Sequence, residues 1–498
     1  MNSDAALPLL VIASSLVTGL AIFFLPEERV RLRSTLNIAA ALIKLALVAA
    51  MLWGVANGRE YEVRFALLPG IDLMLRADAM AMLFVTLSAL LWLLTTIYAI
   101  GYLEGSPHRS RFFGFFSLCV TATMGIALAG NLLTFFLFYE LLTLSTYPLV
   151  AHRGTAKALR AANVYLIYTL AGGAVLLVGV VWLYSLLGNV DFTRGGMMRA
   201  LSSDAHPQLA MIFVLLIAGL GVKAALVPLH GWLPVAMAAP APVSALLHAV
   251  AVVKAGAFGI VRVVYDVYGV GFAASMGLLS PLAVVAAITI IYGSLRALMQ
   301  DDLKRRLAFS TVSQVAYIVL GVGLFGPLGS IGGLMHLVHQ GIMKITLFFC
   351  AGNYAETLGI HKVSELNGIG RRMPLTTAAF TAAAFGMIGV PPTAGFVTKW
   401  YLGLGASEAA MPWVIALLAL SSILNAAYFL PIVHAAWFKP PSDHWPQEAR
   451  RGRFETDGRL LWPAAATGVL TIAVGLLAGT TMSPLNWARF IMQLEYLQ

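Results

Sequence analysis

Five lysines, Lys44, Lys223, Lys254, Lys344 and Lys399, lie within stretches apolar enough to be membrane spans, and one carboxylate, Glu140, shares that setting. An ammonium near the bilayer centre costs roughly 2.5–3.5 kcal/mol even on the lenient insertion scale. A row of such groups therefore points to a path for protons or cations. A carboxylate beside an ammonium lets both stay charged where the dielectric is low, and opening the pair frees the lysine's proton. A static ion pair between two helices would use the same residues. In GGLMHLVHQGIMKITLFFCAG, His336, Gln340 and Lys344 fall at i, i+4 and i+8, a drifting stripe on one helix face, with His339 one turn from His336. Polar groups bridged by water at hydrogen-bond spacing can pass protons. The alternative is hydrogen bonding that simply joins helices. His248 stands six residues before Lys254, about 120° off its face, and offers either an imidazole step through water or a satisfied core histidine. Ser310, Thr311, Ser313 and Gln314 are polar enough to line water, or small enough to pack helices.

The elements that must hold these residues are membrane helices. The 498 residues are 60% hydrophobic and only 11% charged, against about 25% charged in an ordinary soluble domain. At about 20 residues per span, fourteen candidates emerge, roughly 6–25, 36–56, 78–103, 111–129, 131–151, 160–187, 208–230, 241–267, 270–295, 303–325, 328–355, 375–401, 410–438 and 460–481. The fold class is an all-α polytopic membrane protein. Of the 32 Lys and Arg residues, twenty fall in loops after odd-numbered helices, seven (Arg262 among them) fall on the opposite face, and five are intramembrane. This bias places both termini outside the cytoplasm. It also accounts for the net charge of +10 without nucleic acid, for which there is no basic tract or aromatic platform. The first 25 residues lack a basic leader and read as helix 1 rather than a cleaved signal.

Two segments look interrupted. Helix 7 runs into GVKAALVPLHGWLPVAMAAPAPVSALLH, and helix 12 contains GMIGVPPTAGFVTKWYL. Proline removes a backbone donor, and broken helices at matching places point to inverted repeats with ion sites near the midplane. Lys223 and Lys399 each stand beside a break, five helices apart. The expected plan is an N-terminal unit 1–110, a first five-helix repeat 111–268 (helices 4–8), a second repeat 269–438 (helices 9–13), and a loop with helix 14 in 439–498. Segment 57–77 alternates in polarity around Pro69-Gly70 and reads as an external β-hairpin. Loop 439–460 is polar and rich in Pro and Arg, a solvated face or a docking surface. Cys119 and Cys350 form no ligand cluster or disulfide framework. No dinucleotide, haem or iron–sulfur motif is present, so no cofactor is expected and any redox chemistry belongs to another chain.

The stretches FYELLTLSTYPLV (138–150), PLHGWLP (228–234), APAPVSALLHAVAVVKAG (239–256), DDLKRRLAFSTVSQVAYIVLG (301–321) and GVPPTAGFVTKWYL (389–402) stand in an order that resembles the proton-conducting antiporter-like subunits. These occur in respiratory complex I, Mrp-type cation/proton antiporters and membrane-bound hydrogenases. The resemblance covers about residues 75–440, and NGIGRRMPLTTAAF with NAAYFLPIV most resembles the D-type Mrp subunit. It implies that Glu140 is the helix-5 glutamate, Lys223 its helix-7 partner, Lys254 the central relay lysine, and Lys399 the helix-12 residue at the outer exit. Snorkelling would also explain Lys399. His336 and Lys344 continue the relay. His339-Gln340 replaces the commoner Asn-His and shifts the second histidine by one position. His230, in PLHGWLP, is a further candidate. Lys44 is outside the shared core and matches no family motif. The resemblance also implies other membrane subunits as partners, a cytoplasmic (inner) membrane location, and transport of H⁺ with Na⁺ or K⁺, or H⁺ alone driven by a redox module. An organic-solute transporter or a non-conducting scaffold are the competing classes.

Overall fold

The computed structural model describes residues 3–198, 203–441, 445–448 and 454–496. In hydrocarbon every backbone N–H and C=O must be satisfied within the chain, and this sequence satisfies them with helices. These are α1 (Ser3–Phe23), α2 (Val30–Ala56), α3 (Ala79–Tyr102), α4 (Arg109–Leu128), α5 (Leu132–Val150), α6 (Ala156–Leu187) and α7 (His206–Lys223). They continue with α8 (Ala241–Tyr268), α9 (Leu279–Leu298), α10 (Leu303–Gly323) and α11 (Pro327–Leu358). Two half-helices, Pro374–Ile388 and Ala394–Glu408, make α12, followed by α13 (Pro412–Phe438), α14 (Gly458–Leu476) and a terminal α15 (Pro484–Tyr496). Among the described residues thirteen helices are long and apolar enough to cross a membrane, and the paired halves of α12 supply a fourteenth crossing. Side-chain caps set several starts: Asp78, Asn131, Thr155 and Asp302 each accept a backbone N–H from the first turn.

Both expected breaks are present. α7 stops at Lys223 and resumes only as the short turn Trp232–Val235, and α12 opens between Ile388 and Ala394. α7 and α12 are five crossings apart and so run in opposite directions. A third interruption was not visible in the sequence: α8 is helical over Ala241–Ala249 and Val252–Arg262, with Val250 and Ala251 off helical geometry. Its end, Val263–Tyr268, winds as a π-helix.

The hairpin 57–77 is real. β1 (Tyr61–Leu68) pairs antiparallel with β2 (Ile71–Ala77), Tyr61 opposite Ala77, around a turn with Gly70 at φ 78°. Loop 439–460 lies only partly within the described residues. Helix α15 has no counterpart among the expected spans.

The layers are unequal. α8 and α11 are buried along their whole hydrophobic windows and α10 nearly so. α6, α13 and α14 leave large apolar side chains such as Val181, Ile423 and Val469 bare, as lipid-facing helices do. The helices that carry Lys254, His336 and Lys344 are therefore the protein's core.

Candidate functional site: a buried row of ionisable side chains

Lys223 ends α7. Its ammonium donates to the Tyr139 carbonyl on α5 and lies 3.3 Å from the centre of the Tyr139 ring. Glu140, the next residue, is within electrostatic reach of Lys223, but no direct ion pair joins them, and its buried Oε1 has no hydrogen-bond partner. Glycine at 173 on α6 leaves room for that carboxylate, since a Cβ there would collide with it. The chain after Lys223 turns sharply through Ala225, whose φ of 56° is a left-handed conformation that costs a non-glycine residue about 1–3 kcal/mol.

Lys254 sits three residues past the break in α8, fully buried, with no hydrogen-bond partner for its ammonium. Gly256 brings this half-helix onto the end of α7. A Cβ there would strike the backbone of Leu220, Lys223 and Ala224, so the two lysines are carried on directly touching helices.

Across from Lys254, on α11, stands His336. It is buried, both ring nitrogens lack partners, and it is within electrostatic reach of Lys254, His339 and Lys399. Its ring is 5.2 Å from that of Tyr317 on α10, and the half-buried Lys399 ammonium is 5.7 Å from the same Tyr317 ring. Lys399 is anchored by the Ile388 carbonyl and Ser422 Oγ, each at 2.7 Å. The carbonyl is one that the break in α12 frees, which is how an irregular stretch can hold a cation. His339 bonds through Nδ1 to Thr398 Oγ1 at 2.9 Å, tying α11 to the second half of α12. Both amide atoms of Gln340 and Nε2 of Gln314 are buried without partners.

Lys344 lies on a branch. It donates to Ser310 Oγ at 2.6 Å and to the Leu307 carbonyl at 3.3 Å. Ser310 in turn meets Tyr428 Oη at 2.8 Å, and Tyr428 bonds Asn425. His248, which its spacing put about 120° off the Lys254 face, belongs to this branch. It stacks on Phe348 at 4.4 Å and is within reach of Lys344 and Lys304. Lys304 donates to the Ala239 carbonyl at 2.5 Å. By sequence it reads as a loop cation, and the fold half-buries it.

Two candidates stand apart. His230 is half-buried against Tyr292 and Phe309, at 4.8 and 6.3 Å. Lys44 is held by Ser15 Oγ at 2.6 Å and faces the Trp92 ring at 4.8 Å. Sequence reasoning missed Tyr317, Thr398, Tyr428 and Asn425. The last two stand in NAAYFLPIV, a stretch that reads first as a family mark and only second as a source of polar groups. Arg262, which the loop-charge bias puts on a membrane face, is buried. It pairs with both Asp78 oxygens and with Asp266, all at 2.8 Å, because the planar five-donor fork of a guanidinium can grip one carboxylate with two parallel bonds and still reach a second. Asp266 steadies the guanidinium from one turn further along α8, and the Arg262 bonds to Asp78 lock the end of α8 to the start of α3.

Buried polar atoms are normally paired within the protein or with water. Here Glu140, Lys254, His248, His336, Gln340 and Gln314 all carry buried atoms without a protein partner. Such a set can bind and relay protons wherever water bridges it.

The comparisons agree with this architecture. A family model described as NADH:quinone oxidoreductase/Mrp antiporter, TM, matches residues 129–425. Another, for the N-terminus of complex I chain 5, matches residues 70–113. NADH-quinone oxidoreductase subunit N of Desulforudis audaxviator is 36% identical over 490 residues, 95% of this chain and 96% of that one. A probable K(+)/H(+) antiporter subunit of Rhizobium meliloti is 30% identical over 93% of this chain, which spans 46% of that longer protein. A chain in the structure of the Mrp complex from Dietzia sp. aligns at TM-score 0.87 and 27% identity, covering 100% of this chain and 98% of that one. The match runs through both interrupted helices and the buried row between them, and the chain belongs to the NADH:quinone oxidoreductase/Mrp antiporter family of membrane subunits.

Proposed function

We propose that this chain is the proton-translocating subunit of a multisubunit complex in the cytoplasmic membrane. Protons pass along Glu140, Lys223, Lys254, His336 and Lys399, while Lys344 and His248 form a side branch that opens toward Lys304. The observation that carries this reading is the row of buried and half-buried ionisable side chains, within which Lys254 and His336 are fully buried and carry unpaired atoms. Each lysine transfers an N–H proton to water and takes one up from the other side. The charge bias of the loops supports a cytoplasmic face at Arg29, Arg31 and Lys304, with both termini outside. Residues 111–268 and 269–438 act as two half-channels that meet at Lys254 and His336.

The assembly is read as an Mrp-type Na⁺/H⁺ antiporter with this chain in the D-type position. Its support is the full-length likeness to a chain of the Dietzia Mrp complex. The 36% identity to a subunit N over nearly the whole of both chains favours a second reading, a proton-pumping subunit driven by a quinone-reducing module. The co-purifying chains separate the two: small membrane partners for the antiporter, iron–sulfur or nickel subunits for the pump. In either assembly, Lys223→Ala and Glu140→Ala leave the complex assembled and abolish proton transport. Normal flux in either variant removes the proposal.

A further inference from the structure

A second polar track runs through α1, α2 and α4, away from the row above. On α2 the residues Arg33, Asn37 and Lys44 are spaced by four and seven, so they share one helix face, and all three are buried. On α4, Ser110, Ser117 and Thr121 repeat the same type of spacing. The two stripes are joined at one end by Arg33 Nη1 to Ser110 Oγ at 2.9 Å, and at the other through Ser15 of α1, which takes the Lys44 ammonium at 2.6 Å and meets Thr121 at 2.8 Å. Glycine at 19 on α1 sits directly against Ser117, so α1 and α4 pack tightly alongside the track. Between the ends, Asn37 Oδ1 and Ser117 Oγ are buried without partners, as is Trp92 Nε1 beside Lys44.

Arg33 lies near the protein surface with Glu27, whose carboxylate caps the backbone N–H groups of Arg109 and Ser110. Burial pushes Glu27 up, but those N–H groups and the guanidinium groups of Arg33 and Arg109 hold it below the usual carboxylate range. Eleven residues of helix separate Arg33 from Lys44, a rise of about 16 Å, roughly half a bilayer core. Among the described residues no carboxylate faces Lys44: α1 has only Asp4, eleven residues before Ser15, α3 has no charged residue, and α4 has only Arg109 and Arg111, both in its first turn. A buried ammonium bonded to one hydroxyl and one ring is incompletely solvated, and water is the remaining partner for an –NH₃⁺ with three donors.

We propose that α1, α2 and α4 form a hydrated half-channel from the face bearing Arg29, Arg31 and Arg33 to Lys44, which binds and releases a proton at its closed end. On release the Nζ–H bond breaks toward a water held by Ser15 and Thr121, the electron pair stays on nitrogen, and the proton leaves past Ser117 and Asn37. The site is independent of the Lys223–Lys399 row. Which solution it opens to rests on the orientation proposed above.

The test uses the assembled complex in membrane vesicles of both orientations, with Cys119 and Cys350 replaced by alanine. Asn37→Cys and Ser117→Cys are exposed to Ag⁺, a water-sized thiol probe, with Val120→Cys as a buried apolar control on α4. The expected result is reaction at positions 37 and 117 at least about tenfold faster than at 120, and only from the arginine-bearing side. Equal rates at all three positions, or faster reaction from the opposite side, overturn the proposal. Wild-type complex treated with cyanate supplies an independent readout by mass spectrometry, because only a deprotonated amine reacts. Carbamoylation of Lys44, diminished in Asn37→Leu, supports the site. An unmodified Lys44 when exposed Lys362 has fully reacted overturns it. Neither measurement depends on transport, so failure here leaves the proposed function standing, and failure of that function leaves this site standing.

Discussion

Replacing Lys254 by methionine separates a conducting ammonium from a structural one, because the two readings give stability changes of opposite sign. The Lys254 side chain is 0% exposed and its ammonium has no hydrogen-bond partner. Inserting such a group costs roughly 2.5–3.5 kcal/mol, whereas methionine is unbranched, apolar and adaptable enough to fill the space. The variant is therefore expected to be more stable by about 2–3 kcal/mol. That gain would be visible as a raised midpoint of thermal unfolding of the detergent-solubilised complex. The same change leaves an apolar gap between Lys223 and His336. A proton crossing it meets about 3 kcal/mol of extra barrier, a fall in rate of roughly 100-fold. The rate is read from a pH-sensitive dye in vesicles carrying the complex. A stabilised but inactive variant is the expected pair of results. A drop of about 3 kcal/mol or more, the mark of a broken buried ion pair, or wild-type flux at any stability would refute the reasoning.

Two further outcomes follow from the packing. Gly256→Leu is expected to separate α8 from α7, because its side chain meets the backbone of Leu220, Lys223 and Ala224 and not a movable side chain; overpacking of that type costs about 1–3 kcal/mol or more, and the check is loss of both assembly and flux. Glu495 on α15 lines a cavity of about 700 Å³ with Asp78 and Asp266, and burial, then those two carboxylates, push it up to about 8. An undocked α15 would titrate near the ordinary 4.5, so between these values the docked helix holds a proton that the undocked one releases. Docking therefore weakens as pH rises from about 4.5 to about 8 and levels off above it. Hydrogen exchange over residues 484–496 is expected to quicken across that window, and Glu495→Gln to abolish the change.

Much of the architecture was legible because a bilayer allows so few backbone solutions. Lys223 and Lys399 beside proline-rich breaks marked α7 and α12, and the alternation around Pro69-Gly70 marked the hairpin. The break in α8 was not legible, since AVAVVKAG contains no proline and a continuous helix satisfies its local pattern equally well. Helix α15 escaped because it is too short and too polar to register as a span, although its buried face, Leu485, Ala488, Ile491 and Met492, has helical spacing. Within the site, residue types could be read but partners could not. Spacing put His248 six residues before Lys254 and about 120° off its face, which left open whether it joined Lys254 through water; the imidazole lies within reach of Lys344 and Lys304. Arg262 looked like a face residue because its two carboxylates, Asp78 and Asp266, lie 184 and 4 residues away, and only the second is visible as a helical neighbour.

The most direct measurement of the relay is a density map of the assembled complex at a resolution that places water. The account predicts ordered water bridging the Lys254 ammonium to His336, Gln340 and the Lys399 side chain without a dry gap. Apolar side chains packed continuously between Lys254 and His336, with no solvent touching either nitrogen, would contradict it.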